Sequence, residues 1–206
     1  GWENNVEIGK GRSAGIEFMA QKTAGKTTGW LSYTLSKSDR KFTKGGINNG
    51  EWFPYKYDRR HSINLTINHK FSDRIDIGAS WVFYTGGTST IPEEKTTVIR
   101  PHNGANNGFL WYGTYDNTNS SPTIGDVSYI EHRNNFRLPA SHRLNLGVNF
   151  NKKTKHGMRT WNISLYNAYN AMNPAWVYRG HNKQGLSVIK KYTLLPLIPS
   201  CLLYTS

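Results

Sequence analysis

Three stretches of this chain alternate apolar and polar residues so regularly that few folds can accommodate them. In residues 60–69, Ile63, Leu65 and Ile67 alternate with Ser62, Asn64, Thr66 and Asn68. In residues 74–83, Ile75, Ile77, Ala79, Trp81 and Phe83 share one parity, with Asp76, Gly78 and Ser80 between them. In residues 143–150, Leu144, Leu146, Val148 and Phe150 oppose Asn145, Gly147 and Asn149. Side chains of a strand point to opposite faces with period two, so each stretch has one apolar and one wet face. Such a sheet belongs to a soluble sandwich or to a membrane barrel, and the connections decide between them.

The same periodicity predicts strands at residues 12–21, 29–40, 159–169 and 186–195, making about seven in all. Short turns join them at 22–26, 71–74 and 152–157, and long connections at 41–58, 88–141 and 170–184. The long ones are rich in Asn, Gly, Ser, Thr and Pro. Short turns at one end and long loops at the other are the pattern of an outer-membrane barrel. In hydrocarbon every backbone group must pair, which requires a closed sheet. Seven strands cannot close a large barrel, so the expected fold is all-β: part of an antiparallel up-and-down transmembrane β-barrel, with short periplasmic turns and long extracellular loops.

Composition agrees with this reading. A hydrophobic fraction of 36% and a mean hydropathy of −0.64 are low for a chain with a large buried core. No apolar run approaches the roughly 18 residues of a membrane helix, whereas barrel strands dilute their apolar residues by half. The net charge is +13, but cations such as Lys22, Lys26, Arg59, Lys152 and Lys155 are scattered, which favours a solvated surface over a nucleic-acid footprint. The single cysteine, Cys201, excludes an intrachain disulfide and a multi-cysteine metal cage. The segment 1–10 is polar, has no signal-peptide core, and reads as the interior of a longer protein.

Particular words then carry more than the rhythm. Gly11-Arg12-Ser13-Ala14-Gly15-Ile16-Glu17, Gly29-Trp30-Leu31-Ser32-Tyr33-Thr34-Leu35-Ser36 and Trp52-Phe53-Pro54-Tyr55-Lys56-Tyr57-Asp58-Arg59-Arg60-His61 follow in order. Asn162-Ile163-Ser164-Leu165-Tyr166-Asn167-Ala168-Tyr169-Asn170, Asn173-Pro174 and Leu195-Pro196-Leu197-Ile198-Pro199-Ser200 come later. Residues 1–200 thereby resemble the C-terminal part of the barrel of TonB-dependent outer-membrane receptors, especially those of Bacteroidetes-type bacteria. The resemblance implies a barrel of about 22 strands around an N-terminal plug, in the outer membrane of a Gram-negative cell. It implies a scarce nutrient bound outside (ferric siderophore, haem, glycan or cobalamin class) and import driven by the TonB energy-coupling complex. That complex would act through the N-terminal part, which this chain does not show. Barrels of this class end on alternating aromatics. Residues 201–206 depart from that alternation, so they are expected to be a non-native tail, with the natural last strand missing.

Candidate site residues fall into three groups. Asp58, Arg59, Arg60 and His61 form the densest charged word and are expected as a charge network at the barrel mouth, with strand initiation as the plainer role. Trp111, Tyr112 and Tyr115, with His102, lie in the longest connection, where aromatic rings can stack on flat ligands or fold the loop over the mouth. Asn64, Thr66, Asn68, Asn145 and Asn149 are expected to face the lumen. Trp81, Phe83, Tyr84, Trp176 and Tyr178 read as an interfacial girdle. The seven histidines show no two-ligand spacing, so no metal is expected. No Gly-x-Ser-x-Gly, phosphate loop, His-Glu-x-x-His or held acid–base pair occurs, so neither catalysis nor a cofactor is expected. The competing reading is a soluble all-β carbohydrate-binding or adhesion module, which would need a deeper apolar core and mixed loop lengths at both ends.

Overall fold

Where apolar side chains recur at every second position the chain extends, and each long strand folds back beside the one before it. The computed structural model describes residues 7–42, 47–92, 94–100, 123–155 and 157–205. The strands are β1 (Gly9–Lys22), β2 (Thr27–Phe42), β3 (Phe53–Pro54), β4 (His61–Lys70), β5 (Ile75–Tyr84), β6 (Thr88–Ser89) and β7 (Glu94–Arg100). They continue with β8 (Thr123–Tyr129), β9 (Phe136–Arg137), β10 (Ser141–Thr154), β11 (Gly157–Tyr166), β12 (Pro174–His181), β13 (Ser187–Thr193) and β14 (Ile198–Thr205). The described residues contain no α-helix. The protein is all-β and its sheets are antiparallel.

One sheet dominates. Its seven long strands run in the order β1-β2-β4-β5-β10-β11-β14, with β3 paired to β2. This is a meander: short connections at 23–26, 71–74 and from 154 to 157 lie at one end, and the three long connections lie at the other. Directly paired residues share a face, so the register turns seven separate alternations into two continuous surfaces. One apolar row runs Ala20, Leu31, Leu65, Trp81, Leu144. Another runs Ile77, Val148, Ile163, Cys201. The opposite face carries Ser32, Asn64, Thr66, Asn68, Asn145, Asn149 and Asn162.

Among the described residues neither face is covered by a second layer. Phe53 is the one buried apolar side chain among the described residues, whereas Asp39, Asn48, Asp58, Thr88, Ser141 and Asn167 are buried polar ones. The apolar face stays open to its surroundings, with Phe18 at 57% and Ile163 at 50% exposure.

Three expectations need correction. The seventh strand of the sheet is not residues 186–195: β13 pairs with β12 in a separate hairpin, and β14 takes the seventh place. The reason is chemical. Lys190 and Lys191 put a cation on each face of β13, so neither face can continue the apolar surface, while β14 supplies Pro199, Cys201 and Leu203 in register. Residues 201–205 lie within β14, where Leu202 pairs with Asn162 on the polar face. The β12–β13 turn is set by Gly185 at φ +79° and by the Asn182 side chain, which accepts from the amides of Gln184 and Leu186. Trp176 and Tyr178 consequently stand on this hairpin and not at the sheet's outer margin. Finally, the long connections hold structure of their own. β3 and a tight turn at Ile47–Gly50 lie in the first, β6 to β9 in the second and the β12–β13 hairpin in the third. Arg179 of that hairpin donates to the Pro92 carbonyl at 3.2 Å, tying the third connection to the second.

Asn167 shows how the outer end is held. It is 1% exposed, with φ +54°. Its amide oxygen accepts from the Ala171 amide at 2.8 Å, and its Nδ2 donates to the carbonyls of Ala171 and Leu195 at 3.0 and 3.1 Å. Its own amide donates to Asn145 Oδ1 at 3.2 Å. Asn167→Ala is expected to cost about 2–3 kcal/mol, since buried partners are left unsatisfied in a backbone conformation alanine dislikes. Asn167→Gly, which suits that conformation, should cost about 1 kcal/mol less. Urea titrations of the folded chain check both.

Candidate functional site

The outer end of the sheet gathers around one carboxylate. Asp58 closes the first long connection, and the amide of Ser38 on β2 donates to its Oδ1 at 2.7 Å. Its Oδ2 pairs with Arg60 Nε at 3.0 Å and with Arg137 Nη2 at 2.6 Å. Arg137 comes from β9 in the second connection. Its Nη1 also donates to the carbonyls of Asp58 and Gly86, at 2.8 and 2.9 Å. One guanidinium thus fastens β9 to the end of the first connection and to the exit of β5. Gly86 is required there, because a Cβ would run into the carbonyl of Leu138. Thr88 completes the knot, donating its hydroxyl to the Tyr55 carbonyl at 2.9 Å and its amide to that of Lys56 at 3.1 Å.

Burial would raise the pKa of Asp58. The Arg137 hydrogen bond, the Ser38 amide and the charges of Arg60 and Arg137 outweigh it and hold the carboxyl below its ordinary value of 3.8. The group is therefore ionised wherever the protein is folded at neutral pH, and it acts as a brace more than as an acid or base.

The other members of the charged word do different things. Arg60 joins the brace. Arg59 points away and lies over the Tyr84 ring at 4.0 Å. His61 belongs to the apolar-face parity, where its Nδ1 meets the Tyr33 hydroxyl at 2.9 Å. The expected four-residue network is thus a two-residue contribution completed by Arg137. Arg59 is one of three arginines laid on tyrosines of this end; Arg40 covers Tyr55 and Arg143 covers Tyr166, each at 4.3 Å. Arg143 also donates to the Tyr166 hydroxyl.

Near the short turns, the polar face carries a second network. Asp76 accepts from Asn149 and Asn151, each at 2.7 Å. Asn149 accepts from Asn162 at 2.6 Å and Asn151 from Thr160 at 2.8 Å. Asn64 donates to Ser32 Oγ at 3.4 Å, and Asn145 is the acceptor for Asn167. Asn64, Thr66, Asn68, Asn145 and Asn149 share this face, but the structure joins only some of them. His102, Trp111, Tyr112 and Tyr115 lie outside the described residues.

Sequence reading missed Arg137. It lies 79 residues from Asp58, inside a connection that reads as a long loop, and no local pattern links the two.

The sign of the Asp58 linkage fixes its pH dependence. A carboxyl with a lowered folded-state pKa stabilises above the ordinary carboxylate range and loses that contribution as pH falls through the lowered value. The urea midpoint should therefore drop on acidification below pH 4 in the parent chain, and Asp58→Asn should remove that component. Arg137→Ala should cost about 2 kcal/mol. This is below the 3–5 typical of broken buried pairs, because Arg137 is 33% exposed and Arg60 stays behind to share the charge.

No family model, curated protein or solved structure matches the chain.

Proposed function

We propose that the chain is part of an outer-membrane receptor that binds a scarce nutrient outside the cell. Ferric siderophores, haem, glycans and cobalamins are the candidate classes. Import would use TonB-coupled energy, delivered through the N-terminal part of such a receptor. One observation supports the reading: the exposed apolar face gives way to charge part-way along its strands. On β1 and β2 that face is built by Ile16, Phe18, Leu31, Tyr33 and Leu35. Farther out on the same parity it becomes Arg12, Lys37 and Asp39, with Arg12 and Lys37 both on Asp39 at 3.0 and 3.5 Å. A face destined for a protein core has no reason to change character in mid-strand. A face in contact with lipid does, at the interface.

Aromatic and histidine side chains mark both limits of the band. Toward the long connections stand Tyr33, Trp81, Phe83, His142 and Tyr169, with the Tyr169 hydroxyl meeting Trp81 Nε1 at 3.2 Å and His142 Nδ1 at 2.8 Å. Toward the short turns stand Phe150 and Trp161, paired across β10 and β11. From Ile75 to Phe83 the strand covers roughly 27 Å at ~3.4 Å per residue. Tilted by 35–45°, this gives a height of about 19–22 Å, somewhat short of the roughly 25 Å apolar band of such barrels. The soluble-module reading must bury this surface, and among the described residues only Phe53 is a buried apolar side chain.

Paired substitutions test the reading. Leu146→Arg, near the middle of the band, should destabilise the chain in lipid bilayers by about 2–4 kcal/mol. Gly147→Arg, one residue away on the polar face where an added Cβ meets only ordinary contacts, should cost little. Equal tolerance of both changes in bilayers would sink the membrane-face reading, and a chain that stays monodisperse without detergent would return the protein to the soluble-module reading.

A further inference from the structure

The outer ends of β1 and β2 and the first long connection enclose a cavity of about 660 Å³, within the range of small-molecule sites. Four cations line it: Lys10, Arg40, Lys56 and Arg133. Its described lining contains no carboxylate; Glu7 and Glu51, close in sequence, are not part of it. Like charges gathered around one cavity repel, and a bound anion turns that repulsion into attraction. Four of them suit a group carrying two negative charges better than a single one.

The cavity also has a flat apolar wall. Phe42 and Phe53 stack with ring centres 6.1 Å apart and planes 24° from parallel, and the Arg40 guanidinium lies over Tyr55. Hydrogen bonds from three segments hold the walls in place. The Tyr55 amide donates to the Ser38 carbonyl at 2.9 Å, and Asn134 Nδ2 to the Pro54 carbonyl at 2.7 Å. The Asn134 amide donates to Thr90 Oγ1 at 3.0 Å, and the Arg133 amide to Asn48 Oδ1 at 2.7 Å. A site fixed in this way loses little entropy when it closes on a ligand.

We infer that this cavity binds a dianionic group carried on a flat ring, the ring against Phe42 and Phe53 and the charge among Lys10, Arg40, Lys56 and Arg133. Arginine and lysine recognise phosphate and paired carboxylates through the same charge-assisted bonds, so an aryl phosphate and an aromatic dicarboxylate share the required chemistry. The inference rests on the receptor reading for its biological sense and gives that reading a ligand class. Binding itself is measurable apart from transport.

The test is calorimetric titration of the full chain in micelles with phenyl phosphate, phthalate, inorganic phosphate and phenol. At least one of the ring dianions should bind about tenfold or more tightly than inorganic phosphate and than phenol, and the stronger of the two identifies the anion. Lys10→Gln/Lys56→Gln, at two exposed positions, should weaken that binding about tenfold. Arg40→Gln should do the same while removing the support under Tyr55. Inorganic phosphate or phenol binding as tightly as both ring dianions would overturn the inference, as would a double variant that binds like the parent. Loss of binding in a chain that still inserts into lipid sinks the cavity alone. Binding that persists in a chain tolerating Leu146→Arg in bilayers sinks the receptor reading and leaves the cavity standing.

Discussion

The register of the seven-strand meander is the constraint on which everything else depends. A slip of one residue between any two strands would move every side chain of one partner to the opposite face. The row from Ala20 to Leu144 would then be interrupted by serines and asparagines, and Asp76 would leave the reach of Asn149 and Asn151. Among the described residues no apolar core sits above or below the sheet, so packing against a second layer does not enforce this register there. It is enforced by the backbone ladder, by cross-strand pairs such as Leu65–Trp81 and Phe150–Trp161, and by polar contacts along the wet face.

At the outer end the usual arrangement of a protein interior is reversed. What is buried there is mostly polar: Asp58, Asn167, Asn48 and Thr88, with Phe53 the apolar exception among the described residues. Each is satisfied by partners from another segment, so that the long connections are fastened to one another and to the strand ends. A carboxylate taking two guanidiniums and an amide is costly to desolvate and worth keeping only while all its partners are present. The brace therefore contributes definition of shape more than bulk stability, and the cationic cavity beside it inherits that definition.

Much of the sheet was legible from the chain alone, for a physical reason. Period-two alternation is local, so strands such as β4, β5 and β10 reveal themselves in ten residues or fewer. The division into short and long connections is equally local. What could not be read depends on distance. β14 displaced residues 186–195 because the two lysines of β13 matter only once a neighbour's face is known. Arg137 is invisible until a fold of 79 residues brings it to Asp58. The word Asp58-Arg59-Arg60-His61 looked like one network because its members are adjacent, yet Arg59 and His61 went to Tyr84 and Tyr33. The wall of Phe42, Phe53 and Tyr55 went unread for the same reason, being assembled from β2 and a connection that reads as loop.

The uneven lengths of the connections also order events in time. The turns at 23–26, at 71–74 and between 154 and 157 close three hairpins, β1–β2, β4–β5 and β10–β11, whose loop-closure entropy is small. Each hairpin already carries its own stripe of apolar residues. The contacts that join one hairpin to the next span long stretches of chain and are slow to form. The sheet is therefore built in pairs, like rungs added two at a time. Arg137 and Asp58 meet late, when the pairs are already side by side.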